Sequence, residues 1–78
     1  MAARQGARRE HLSAFGDRVR CLREQAGLTQ EALAHKAGLH RAEIGFLERG
    51  ERDFGLSILW PLADALGVTV RDMFDEAP

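Results

Sequence analysis

The sequence of 78 residues has a single cysteine, Cys21. One cysteine rules out an internal disulfide framework and a cysteine-built metal site, and a reducing cytoplasm fits. Cys21 also falls off the apolar stripe around it, which predicts an exposed and inert thiol. No apolar run approaches the ~20 residues of a membrane span. The opening MAARQGARRE is charged but has no apolar centre, so it does not read as a signal peptide. Strand-type alternation and internal repeats are missing. Ser13 and Ser57 are the only serines, and neither lies in a nucleophile motif. His11, His35 and His40 have no companions at ligand spacing, so no metal is expected. The carboxylates scatter as they do on a solvated surface. An enzyme is therefore not expected, and neither is a cofactor or a small-molecule ligand.

The chain does carry a helical, globular pattern. Hydrophobic residues make up 45% and charged residues 29%, outside the range of disordered chains. A domain this short is marginal alone, and local helices with dimerisation are the usual remedy. Residues 1–8 read as a flexible basic tail, and residues 9–78 as one domain. Leu12, Phe15, Val19, Leu22 and Ala26 form one stripe at helical spacing, closed by Gly27. Thr29 is a natural N-cap for a second helix that turns Leu33 and Ala34 inward. Gly38 supplies a tight turn, and a third helix runs from about His40 to Arg49 before Gly50. Ile44, Leu47 and Glu48 share one face of it. A fourth helix should start near Ser57 or Ile58 so that Pro61 stays in its first turn, with Leu59, Leu62, Ala63 and Leu66 inward. Thr69 with Asp72 reads as a capping pair for a short fifth helix.

Residues 29–49, two short helices joined at a glycine, have the layout of a helix-turn-helix, whose second helix enters the major groove of DNA. The net charge of −1 runs against nucleic-acid binding. Its distribution answers part of the objection, because salt screens charges beyond ~8–10 Å and a local stripe matters more than the total. Arg4, Arg8 and Arg9 lie near the start. Arg41, Arg49 and Arg52 lie in or just after the third helix, and Asp72, Asp75 and Glu76 gather at the other end.

Gly27-Leu28-Thr29-Gln30-Glu31, Ala37-Gly38-Leu39, Ile44, Leu47-Glu48-Arg49-Gly50 and Ala65-Leu66-Gly67-Val68 resemble the Cro/repressor-type (XRE-like, lambda-repressor-like) helix-turn-helix family. Gly38-Leu39-His40-Arg41 and Glu48 through Asp53 look most like the controller proteins of restriction–modification systems. The resemblance implies an all-α, five-helix domain that binds double-stranded DNA as a homodimer. It implies that Gln30 anchors the second helix to a phosphate and that Arg41 and Ala42 contact base edges. Arg49 and Arg52 would hold the DNA backbone, and Arg23 would pair with Glu48. The chain departs from the pattern at Glu43, Phe46, Phe54-Gly55 and Pro61.

The side chains themselves leave alternatives open. Arg41 can bond bidentately to guanine or stay solvated. Phe46 can meet thymine methyls or fold back onto the 51–56 loop against Phe54. Glu43 can bond to the start of its own helix or accept from a cytosine amine. His40 can donate to a phosphate or cap the helix. Arg23 and Glu48 border the apolar stripes of two helices, as an ion pair would, or stand as separate surface charges. Met73 and Phe74, with Val70 and the off-stripe Trp60, form a candidate isologous dimer patch.

Together these readings give a sequence-specific transcriptional regulator acting at the nucleoid in the cytoplasm, as a homodimer on a two-half-site operator. A full ligand-sensing domain does not fit beside the motif, so control would run through concentration and dimerisation. Two rivals stand beside it: an antitoxin-like protein that also docks a toxin, and a protein-interaction module that kept the fold without DNA binding.

Overall fold

The computed structural model describes residues 2–75, with side chains from residue 8 onward. The side chain of Arg4 and the whole of Glu76 lie outside the described residues. Four α-helices run in the order α1 (Ala2–Gln25), α2 (Gln30–Ala37), α3 (Arg41–Glu48) and α4 (Leu59–Leu66). Two 3-10 turns, Leu56–Ile58 and Arg71–Phe74, complete the described elements. Among the described residues, no helix is long and apolar enough to cross a membrane.

Two boundaries differ from expectation. α1 starts at Ala2 and takes in most of the stretch read as a tail. Alanine, arginine and glutamine favour helix, and no proline interrupts them, so the helix of Leu12 to Leu22 simply propagates toward the N-terminus. The expected fifth helix is a single 3-10 turn. Its Thr69–Asp72 cap is present: the Thr69 N–H donates to Asp72 Oδ2 at 3.0 Å, and the Asp72 N–H to Thr69 Oγ1 at 3.1 Å. Asp75 is already extended, which leaves room for only one turn, and short pieces adopt the tighter 3-10 geometry.

The remaining elements follow their local chemistry. Thr29 Oγ1 accepts the Ala32 N–H at 3.0 Å, and Gly38 closes α2 in the left-handed conformation at φ 71°. α4 begins one residue after Ile58. Pro61 therefore sits in its first turn, where a backbone N–H would have no helical partner.

The core lies where the helices converge. Val19, Leu33, Ile44, Leu62 and Met73 are fully buried, with Leu22, Leu47, Leu59 and Leu66 around them. Met73 was expected at a dimer surface. It is instead sealed inside the monomer, because the C-terminal turn packs on α1 and directs this side chain inward. Val70 is half-buried against the same core. Phe74 points the other way and stacks on Phe15 with ring centroids 5.0 Å apart.

The crossing of α1 over the end of α3 depends on two glycines. A Cβ on Gly16 would lie 2.3 Å from the Leu47 carbonyl oxygen and 2.5 Å from that of Glu48. A Cβ on Gly50, which has φ 68°, would lie 2.7 Å from the Ser13 nitrogen. Gly16 carried no signal in the sequence reading, since a glycine inside a helical stripe looks like a weakness and not a contact.

Candidate nucleic-acid interface

α2 and α3 pack closely and set one end of α3 on the surface. Ile44 and Leu47 anchor α3 in the core, while Arg41 and Ala42 at its N-terminal end are exposed. His40 is the N-cap, and its backbone N–H donates to Glu43 Oε1 at 2.9 Å. One carboxylate oxygen of Glu43 is thus engaged by its own helix. This geometry satisfies an otherwise partnerless donor of the first turn.

Beneath the motif, Arg23 of α1 meets Glu48 of α3. Arg23 donates from Nε at 2.6 Å and from a terminal nitrogen at 3.1 Å, a bidentate pair. The Glu48 side chain is only 3% exposed and that of Arg23 12%. Gln30 joins them, its amide nitrogen donating to Glu48 Oε1 at 3.0 Å. A further Arg23 nitrogen donates to the Leu28 carbonyl at 2.9 Å, which ties the α1–α2 turn into the network. The hydrogen bond to Glu48 is the main cause that raises the Arg23 pKa above its already high ordinary value. The guanidinium stays charged. Gln30 was expected at a phosphate, and one of its two amide hydrogens is committed here.

Arginines crowd the far end of α3, each with a neighbour. Arg49 Nε donates to Glu51 at 2.6 Å. Arg8 of α1 reaches Asp53, with its Nε at 3.0 Å and a terminal nitrogen on the same oxygen. At the other end of α3, Arg41 lies 3.6 Å from Glu31. Both partners of these three pairs are largely exposed, so each is worth little by itself. They matter as charge bookkeeping: acids sit among the cations of the face, which the linear sequence read as a basic stripe. Arg52 lies over the rings of Phe46 and Phe54. Phe46 does fold toward the 51–56 loop.

The other candidate positions stand apart. His40, Arg41 and Ala42 share the exposed N-terminal end of α3, and Arg49 and Arg52 its C-terminal end. Trp60 and Phe74 are 57% and 61% exposed, and Leu56, which the sequence reading passed over, is 75% exposed. Cys21 is half-buried, with the Gln25 amide nitrogen 3.4 Å from its sulfur. Among the described residues, no three of His, Cys, Asp and Glu gather closely enough to hold a metal ion. At the C-terminal turn, the Thr69 backbone N–H and then its hydroxyl hold the Asp72 carboxyl below its ordinary range. The Asp72 carbonyl accepts from Arg18 Nε at 3.0 Å.

Comparison with known proteins agrees with this geometry. The family model HTH_3, described as helix-turn-helix, matches residues 19–73. The chain belongs to the XRE-like helix-turn-helix family. The matched span runs from Val19 to Met73, both fully buried in the core. Control protein C.BamHI of Bacillus amyloliquefaciens is 39% identical over 62 residues, which cover 78% of this chain and 76% of that protein. Control protein C.SmaI of Serratia marcescens is 48% identical over 56 residues, covering 72% of this chain and 67% of the other. The crystal structure of the restriction–modification controller protein C.AhdI from Aeromonas hydrophila superposes with a TM-score of 0.81 at 43% identity, over 83% of this chain and 98% of that one. This helix-turn-helix protein is a transcriptional regulator and not an enzyme.

Proposed function

We propose that this regulator binds a two-half-site DNA operator as a homodimer, one monomer to each half-site. The observation that carries the reading is the exposed N-terminal end of α3. Arg41 and Ala42 stand clear of the core there, while Ile44 and Leu47 hold the helix rigidly behind them. The first residues of a recognition helix are those that meet base edges, and arginine can engage guanine bidentately. His40 at that end, Arg49 and Arg52 at the other end of α3, and the start of α2 at Gln30 suit the DNA backbone. Exposed Phe74, Trp60 and Leu56 supply apolar surface for a second copy, which would set two recognition helices ~34 Å apart, one turn of DNA. Likeness to the control proteins supports a controller-type regulator whose occupancy follows its own concentration.

Selection of bound duplexes from a random pool tests the reading. Two related half-sites with dyad symmetry are the expected product. No enrichment at low salt would refute DNA binding, and a single half-site would refute the dimeric mode.

A further inference from the structure

Phe46 lies on α3 away from Ile44 and Leu47, yet it is half-buried. Two guanidinium groups lie over its ring, that of Arg49 at 5.5 Å from the centroid and that of Arg52 at 5.0 Å. Arg52 also lies 5.6 Å from the centroid of Phe54. Arg49, Phe46, Arg52 and Phe54 thus form an alternating ladder of cations and rings, each contact within the ~6 Å at which a ring attracts a cation. Gly45 gives this ladder room. A Cβ there would lie 3.0 Å from a terminal nitrogen of Arg49 and 3.7 Å from its Cζ. A glycine inside a helix costs about 1 kcal/mol relative to alanine. Here the missing side chain leaves the space that the Arg49 guanidinium occupies.

A free arginine side chain samples many rotamers, and ordering it on a ligand costs binding energy. Stacking on a ring engages the face of the guanidinium and leaves its N–H donors in the plane, at the edges. The exposed Glu51 carboxylate, on Arg49 Nε at 2.6 Å, adds a weaker second contact. We propose that Phe46 is a positioning residue. With Phe54 and the space at Gly45, it holds Arg49 and Arg52 as a preorganised pair for DNA phosphates, and it does not read a base. The proposal rests on the DNA-binding reading above.

The test compares the full chain with Phe46→Leu, Phe46→Trp and Phe54→Leu. Each is titrated with the selected operator and with a random duplex over a range of salt. Phe46→Leu should weaken both duplexes by the same factor, roughly three- to tenfold, the scale of one or two cation–π contacts. It should also flatten the salt dependence toward that of Arg49→Ala and Arg52→Ala, because the arginines no longer neutralise phosphates as fully. Phe46→Trp keeps a ring and should keep both properties. Thermal melts check that each variant is folded. If Phe46→Leu does not fold, Phe54→Leu, which removes one rung from the loop side, must still give a smaller loss on both duplexes. The positioning role is overturned if Phe46→Leu changes preference at one base pair while random-duplex affinity holds. It is equally overturned if the two leucine variants bind as the wild type does, or if Phe46→Trp loses as much as Phe46→Leu. A wild-type chain that binds neither duplex at low salt fails the DNA-binding reading itself and removes the proposal with it.

Discussion

Replacing Glu48 by alanine is expected to cost this small domain a large part of its stability. The Glu48 carboxylate accepts three hydrogen bonds, at 2.6 and 3.1 Å from Arg23 and at 3.0 Å from Gln30. Its side chain is 3% exposed and that of Arg23 12%. Truncation leaves a charged guanidinium at the α1–α3 contact with only the Leu28 carbonyl, and deletes the partner of Gln30. Breaking a buried pair from one side costs about 3–5 kcal/mol. A chain of 78 residues at ~0.05–0.15 kcal/mol each has roughly 4–12 kcal/mol in all. At the low end of the urea slopes of small proteins, ~1 kcal/mol per M, the midpoint should fall by about 3 M or more. A variant unfolded without urea can be brought back into range with sucrose or TMAO. Arg23→Ala should cost at least as much, since the acid it abandons is the more deeply buried partner. The double variant should lose less than the sum of the singles, by about 0.5–3 kcal/mol. Refilling the site with Arg23→Met and Glu48→Leu should recover stability, because well-packed apolar side chains can replace a buried pair. Additivity of the two alanine variants within ~0.5 kcal/mol would refute the pair as a coupled unit.

Arg41→Ala should weaken operator binding by ~1–3 kcal/mol and leave random DNA nearly unchanged, whereas equal losses in a gel shift would remove it from base reading. Gly16→Ala sets a gain of about 1 kcal/mol in helix propensity against an overpacking cost of ~1–3 kcal/mol. With a Cβ 2.3 Å from a backbone oxygen, the second should win, so the melting temperature should fall by roughly 4–10 °C, and a rise would show that α1 moves aside freely. The folded-state pKa of Asp72 lies below its ordinary 3.8. Its cap therefore stabilises above that value and fades as the pH falls through it and below. The melting difference between wild type and Asp72→Ala should shrink over that acid range, and a pH-independent difference would detach the cap from ionisation. In ultracentrifugation, Phe74→Ala should shift the protein toward monomer with little loss of fold, while Met73→Ala should destabilise the fold by ~2–5 kcal/mol. A wild type that stays monomeric at concentrations on the order of tens of micromolar, with and without DNA, would rule out the dimer.

The local elements were legible because their causes are local. Thr29, Gly38 and Gly67 stand where a cap or a left-handed turn is needed, and apolar spacing alone picks out the buried faces of α2, α3 and α4. The family was legible for a related reason: its motif spaces turn residues and core residues over short distances. Arg23 and Glu48 could be paired from the stripes they border, although Gln30 as a third member could not. Tertiary structure decided what depends on distant segments meeting. It sent Met73 inward and left Phe74 outside, a choice made by where α1 lies and not by residue type. It gave Gly16 its purpose, since only the approach of α3 turns a missing Cβ into a necessity. It brought Asp53 to Arg8 and Glu31 to Arg41, whereas Glu51 and Phe46 meet Arg49 and Arg52 within one short stretch of chain. Hydrophobic periodicity reports which face of a helix is buried. Which side chains of distant segments meet is set by how the helices pack, and here that packing brings Asp53 to Arg8 and Glu48 to Arg23.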